Sequence, residues 1–282
     1  MISFLPAGSA EQQLLRYSEL FSVCFPASPK FSLPALHWLY AENPDGTVVG
    51  FDAFDGDLLV AHYVCIPAAV RLAGRTVRAL LSLNTATRPS HQGKGLFSKL
   101  AEMTYQAAAE QGYECVYGVA NANSTPGFVR KLGFQLVEPL AAKVGLGGLG
   151  GDLQGVDRQA QFQRVWSPES LRWRCSNPAN RVDGWAFGGC HAFHARALSS
   201  LVPAYAELSA ELPMPTVSRP LTPLRLYIGL RPSGTCRFSS YVDIPDRLRP
   251  SPLNLIFRPL SVSDERLEAG QIHFSFLDFD AY

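Results

Sequence analysis

One segment constrains the fold of this chain more than any other: Thr87-Arg88-Pro89-Ser90-His91-Gln92-Gly93-Lys94-Gly95-Leu96-Phe97-Ser98-Lys99-Leu100. Up to Thr87 the residues Leu80, Leu81, Leu83 and Ala86 read as a long strand, and after Pro89 the period changes. Leu96, Leu100, Met103 and Ala107 then recur at helical spacing until Gly112 stops the helix. A strand, a glycine loop and an amphipathic helix therefore follow in direct succession. The first N–H groups of such a helix lack internal partners, and the helix dipole adds partial positive charge there. That makes the junction an anion site in kind. Gly93 and Gly95 let an anion approach the backbone, and Lys94 adds charge at the rim.

Around this junction the patterns alternate between helix and strand. Glu11 to Phe21 reads as a helix, and Leu33 to Ala41 as a second one opened by Ser32-Leu33-Pro34. Thr47 to Phe54 and Leu58 to Val64 read as strands joined by the turn Asp55-Gly56-Asp57. Val70 to Leu72 and the strand from Thr76 form a further hairpin around Ala73-Gly74. Cys115 to Val119 is a short strand, Thr125 to Lys131 a short helix ended by Gly133, and Phe134 to Val137 another strand. The order αα-βββ-α-β-α-β is a mixed α/β layer architecture.

Two motifs in this order carry a resemblance. Gln92-Gly93-Lys94-Gly95 resembles the Q/R-x-x-G-x-G/A loop of the GNAT superfamily of N-acetyltransferases, which grips the pyrophosphate of acetyl-coenzyme A. The stretch from Val119 through Asn121, Pro126 and Lys131 to Gly133-Phe134 looks like the second signature, a strand ending in Asn and a short helix ending in Lys-x-Gly-Phe. The resemblance covers about residues 10–140. It implies a GNAT-like mixed, mostly antiparallel sheet flanked by helices. It also implies two strands, ending at Thr87 and Val119, that splay apart around the cofactor's pantetheine arm. The residues it points to for the cofactor are Thr85, Ala86, Thr87, Gln92, Gly93, Lys94, Gly95, Leu96, Phe97, Asn121, Asn123, Ser124 and Phe128. Phe97 departs from the small residue usual in the family, and either crowds the pantetheine path or packs into the core.

The implied activity is acetyl transfer from acetyl-CoA to the amine of a small molecule, such as an amino sugar or an amino-acid-like metabolite. The amine must lose a proton, the thioester carbonyl must be polarised, and the leaving thiolate needs a proton. Relatives often supply that proton from a Tyr four residues before the Gly of Gly-Phe. Here the count falls on Val129, beside Phe128, and neither has a proton to give. Substitute catalytic candidates are Ser124, Tyr117 and Asn84, of which Asn84 can only hydrogen-bond. Asp52 and Glu114 are further possible bases, and each is more often a solvated strand-edge charge. The alternative is a catalytically degenerate module that keeps the fold and binds acyl-CoA.

Gly145 to Gly155 holds six glycines in eleven residues and lacks the Lys-Ser/Thr of a P-loop, so it reads as a flexible connection. The expected division is a first domain over 1–144, a linker over 145–160 and a smaller α/β or mostly β domain over 161–282. Trp173-Arg174 with Asn177-Pro178 echoes Trp38 with Asn43-Pro44, so the second half is read as a possible shortened repeat that adds to the acceptor cleft. Strands are expected near Trp185–His194, Arg225–Leu230 and Ile272–Phe276. Asp278 and Asp280, on one side of a terminal strand, are candidate holders of a cationic amine.

Composition narrows the partners. Lys plus Arg is 25 against 24 Asp plus Glu, so no basic excess points to nucleic acid. No run reaches the ~20 apolar residues that span a bilayer, and the N-terminus has no signal-peptide pattern. Six cysteines without a C-x-x-C pair fit reduced thiols in the cytoplasm, and the six histidines show no metal-ligand pattern. A monomer or homodimer acting on a small amine without a metal, a membrane or nucleic acid is the expectation.

Overall fold

The computed structural model describes residues 1–26, 28–199, 201–211, 217–249, 251–260 and 265–280. The chain divides into two compact units that do not follow the chain order. The first comprises Met1–Ala69, Val77–Leu136 and Ile256–Arg266, and the second Val70–Thr76, Val137–Leu255 and Leu267–Tyr282.

In the first stretch of chain, β1 (Ile2–Pro6) precedes α1 (Glu11–Cys24) and α2 (Leu33–Ala41). The strands β2 (Val49–Asp55), β3 (Leu58–Leu72) and β4 (Arg75–Thr87) follow as a meander. Then come α3 (Leu96–Glu110), β5 (Cys115–Ala120), α4 (Thr125–Leu132) and β6 (Gln135–Pro139). β1 pairs antiparallel with β2, β2 antiparallel with β3, and β4 parallel with β5. The parallel pair needs a crossover, and α3 supplies it. Alternation along β2 and β3 sends Ala53, Tyr63 and Cys65 into one core with Leu100, Tyr105, Phe128 and Phe134. The opposite side chains, Asp52 and His62, meet Tyr17 of α1 and Tyr40 of α2. Helix starts follow local chemistry: Pro stands in the first turn of both α2 and α4.

Three readings of this half change. Ile2–Pro6 is a strand that no period-2 signal of useful length announced. Val70–Leu72 is not a separate strand but the end of the fifteen-residue β3, which runs straight through Pro67. β14, described below, places Ile256 in the first unit's core, a contribution from far along the chain.

The second stretch begins with β7 (Ala141–Leu146), α5 (Leu153–Gln159), β8 (Phe162–Arg164) and α6 (Pro168–Cys175). It continues through β9 (Asp183–Phe187), β10 (Cys190–Ser199), β11 (Val202–Ser209), β12 (Leu224–Leu230), β13 (Tyr241–Asp243), β14 (Asn254–Pro259) and β15 (Ile272–Ser275). β9, β10 and β11 form an antiparallel meander, and β12 joins β11 in parallel. The order helix, three-strand meander, parallel fourth strand is the order of α2 through β5. In both, a buried Asn before Pro stands two residues after the helix end, and Asn43 and Asn177 each accept from the backbone N–H two residues on.

The glycine-rich segment is not a linker. Gly145 lies in β7, which pairs with β12 and β13, and a Cβ there would clash with the Ser240 carbonyl oxygen. Leu149 is fully buried and α5 starts at Leu153. Gly145 serves a close backbone approach, Gly147 and Gly150 hold a left-handed backbone, and the boundary between units falls after Leu136 instead of at 145. The terminal acids do not sit on a strand either. Phe276–Asp278 is a 3-10 turn, and Asp278 is buried, its Oδ2 accepting from Ser275 N at 2.6 Å and Ser275 Oγ at 2.9 Å. Asp280 is half-buried near the Arg174 guanidinium, which itself donates to the carbonyls of Phe276 and Phe279. Asp278 thus caps a turn in the second unit, and its carboxylate is committed to Ser275; Ala281 and Tyr282 lie outside the described residues.

Candidate functional site

The register between β4 and β5 holds only from Ala79↔Cys115 to Ser82↔Gly118. Beyond it the pairing stops. Leu83, Asn84 and Thr85 on one side and Val119 and Asn121 on the other face a cavity of about 720 Å3. Just past the last paired residue Asn84 holds φ at +47°, a left-handed backbone that Asn tolerates better than most residues. The other walls come from Phe97 of α3, from Ser124, Gly127 and Phe128 of α4, from Ile256, and from Phe25, Ser28, Lys30 and Phe31 between α1 and α2.

At the end of β4 the loop turns into α3. Gly93 and Gly95 sit at φ +76° and +75°, which is why side-chain-bearing residues are strained there. A Cβ at either position would meet no heavy atom within 4 Å, so the space over the loop is open. Gly95 caps α3 without a side-chain hydrogen bond, leaving the first N–H groups of a fifteen-residue helix for an external acceptor. Gln92 braces the loop by donating from Nε2 to the Thr87 carbonyl at 3.2 Å. His91 is turned away: its ring pairs with Ser90 Oγ at 2.9 Å and with Asp55 Oδ2 at 3.3 Å, and this pairing, with the N-terminal ammonium, holds the Asp55 carboxyl below its usual range. The loop residues Gln92, Gly93, Lys94 and Gly95 are all exposed, Leu96 is buried beneath them, and Ala86 is buried in β4.

Phe97 packs into the core: its ring sits against Tyr63 and Phe128, with centroids 5.8 and 5.3 Å apart, and the residue also lines the cavity. Ser124 lies at the cavity inside a tight turn. Its Oγ accepts from Asn121 N and donates to Asn121 Oδ1, each at 3.1 Å. Asn121 Oδ1 also receives Asn123 N and Ser124 N, so the Asn121 carboxamide shapes the turn. Tyr117 is elsewhere: it is fully buried and is not part of the cavity wall. Thr85, Asn84, Ser124, Asn121, Asn123, Phe97 and Phe128 are therefore gathered at one cavity, and Tyr117 is not among them.

A buried polar chain backs the cavity. Asp52 and His62 are direct cross-strand partners on β2 and β3, 2% and 0% exposed. His62 Nδ1 lies 2.6 Å from Asp52 Oδ1, and the Tyr17 hydroxyl donates to Asp52 Oδ2 at 2.7 Å. Burial first, then the Asp52 charge, push the Tyr17 hydroxyl far above its ordinary range, so it stays a donor. Tyr40 Oη stands 2.9 Å from His62 Nε2, and Asn84 Nδ2 donates to Tyr40 Oη at 3.1 Å. Asp52 was legible as a possible base, yet it is neither solvated nor at an edge. His62, Tyr17, Tyr40 and Lys30 gave no motif signal.

Residues 9–137 match the family model for the acetyltransferase (GNAT) domain. Solved structures agree on the fold. A GCN5-related N-acetyltransferase from Anabaena variabilis superposes with TM-score 0.61 at 12% identity, over 92% of this chain and 74% of that one. Eis1 from Mycobacterium abscessus gives 0.58 at 13%, over 93% and 74%. A conserved protein from Enterococcus faecalis, described as a probable N-acyltransferase, gives 0.56 at 10%, over 92% and 73%. At these identities the likeness concerns the fold alone. No curated protein matches the chain in sequence.

Proposed function

We propose that this chain transfers an acetyl group from acetyl-coenzyme A to the amine of a small molecule. The observation that carries the reading is the cavity between the diverging ends of β4 and β5, continuous in sequence with the open glycine loop and bare N-terminus of α3. These residues fit the donor: the exposed backbone of Gly93 to Leu96 suits a pyrophosphate, and the strand edges at Leu83–Thr85 and Val119 suit an extended amide arm. When bound, the coenzyme supplies an acyl group activated as a thioester.

The chain's own groups supply the rest. Backbone N–H groups freed by the divergence polarise the acyl carbonyl. The Ser124 hydroxyl lines the cavity and is our candidate donor to the leaving sulfur, once its proton turns from Asn121 Oδ1. A thiol's ordinary pKa of about 8.5 leaves little for such an acid to do, so the absence of a Tyr at Val129 is tolerable. Asn84 cannot remove a proton and can hold the amine. Among the described residues no carboxylate lines the cavity, and Lys30 is the one charged side chain in its walls. That favours an acceptor with a single amine and an apolar or anionic body, nearer an amino-acid-like metabolite than a polycationic amino sugar. Six free cysteines fit a reducing cytoplasm, and no described helix is long and apolar enough to cross a membrane.

The test is calorimetric titration with acetyl-CoA followed by thiol release with a panel of amines. Saturable binding and amine-dependent release are expected. Binding without release under any amine would leave an acyl-CoA-binding module, the reading that Phe97 and Val129 favour. No binding by folded protein would remove the donor from the account.

A further inference from the structure

The polar chain behind the cavity has a direction, and the direction decides what Asn84 offers to a ligand. Asp52 accepts at both oxygens, from Tyr17 and from the Nδ1 side of His62. When the His62 ring carries a single proton, on the Nδ1 that faces Asp52, its Nε2 is bare and can only accept. Tyr40 must then donate its hydroxyl proton to Nε2, leaving its oxygen to accept. Asn84 therefore meets Tyr40 with its NH2 group, as the 3.1 Å contact from Nδ2 has it. Each step follows from the one before, and the last assigns the amide orientation that geometry alone leaves ambiguous. A proton added to His62 Nε2 would reverse every donor between His62 and the cavity.

We propose that Asp52, His62 and Tyr40 act as positioning residues that lock Asn84 with its carboxamide oxygen available in the cavity, where it receives the N–H of the acceptor's amine. The proposal rests on the acyl-transfer reading above and adds to it the residue that selects a hydrogen-bond donor as acceptor. Two independent features agree with this role. Asn84 occupies a strained left-handed backbone at the point where β4 leaves its register, so its place is built and not incidental. The chain behind it is almost completely withdrawn from water, which strengthens each bond and makes an unpaired member costly.

The experiment combines kinetics and a tautomer measurement on the full chain. Nitrogen-15 imidazole spectra should show His62 protonated on Nδ1 and bare on Nε2 at neutral pH. With acetyl-CoA and 2-phenylethylamine as probe, Tyr40→Phe keeps the ring and cuts the chain. It should raise the amine KM about tenfold, the loss of about one oriented hydrogen bond, with kcat and acetyl-CoA affinity nearly unchanged. Adding Asn84→Asp to Tyr40→Phe should restore the KM, because a carboxylate shows an oxygen in either orientation. A merely structural chain would not produce that rescue. An unchanged KM in folded Tyr40→Phe overturns the proposal, as does His62 protonated on Nε2 in the wild type. If Tyr40→Phe does not fold, the wild-type tautomer decides. If no amine is turned over, the acyl-transfer reading fails first, and the tautomer still tests the direction of the chain.

Discussion

Gly95→Ala separates the two jobs of the loop glycine. At φ +75° an alanine adopts a left-handed backbone, which costs about 1–2 kcal/mol, partly offset by the stiffer unfolded chain. No steric term adds to this, since the new Cβ meets nothing within 4 Å. A net loss of about 1 kcal/mol of stability is expected. Gly74→Ala is the matched control: φ is +80° and its Cβ also meets nothing. It lies in the turn before the first residue of the thirteen-residue β4, whereas the loop follows the last. Urea denaturation should therefore show similar losses for both variants. Titration with acetyl-CoA should not. In Gly95→Ala the methyl group occupies the space a pyrophosphate must enter, and losing one charge-assisted contact of about 1.5–3 kcal/mol weakens binding about 10- to 100-fold. Gly74→Ala should bind as the wild type does. Equal affinity in the two variants would refute the assignment of the loop.

Three further outcomes follow from the same contacts. Asp278→Ala orphans Ser275 N and Oγ in a buried turn, so it should lower stability by about 2–3 kcal/mol in urea while leaving acetyl-CoA affinity unchanged. Burial, then Arg231 and Arg71, hold His273 neutral far below its ordinary range. The unfolded chain binds that proton near pH 6.5, so below this pH it holds more protons than the native state and stability falls as pH drops. His273→Gln should flatten stability between pH 5 and 7, leaving a smaller slope from His194, whose pKa burial also lowers. Burial pushes the thiols of Cys65, Cys115, Cys175 and Cys190 up to about 12, so an aromatic disulfide reagent at pH 8 should reach at most the half-buried Cys24 and Cys236 before unfolding.

Much of the first unit was legible because its signals are local. Helical spacing ends at Gly112, Pro126 marks a first turn, and Gln92-Gly93-Lys94-Gly95 marks the loop between a strand and a helix. Glycine misled where its reason was not local. Gly145 to Gly155 has the composition of a flexible connection, but Gly145 is small because the Ser240 carbonyl and the Tyr241 ring press on it, and both are nearly a hundred residues away. The Asp278 reading failed similarly: spacing two implies a shared face only on a strand, and the backbone there is a 3-10 turn.

The sequence by itself determined the order of elements in the first half, the open loop at the head of α3 and the loss of the usual tyrosine at Val129, since each depends on a few adjacent residues. Only the tertiary structure decided what stands behind the cavity. The turn at Gly56 alone would pair Asp52 with Ala61, because the register next to the turn sets Asp55 against Leu58 and Phe54 against Leu59. A one-residue shift between Ala53 and Phe54 brings Asp52 opposite His62 instead. In a pleated sheet a slip of one residue exchanges the faces, so this irregularity puts the imidazole beside the carboxylate and under the tyrosines of α1 and α2. No spacing rule announces such a bulge; the packing of two helices on one sheet face selects it.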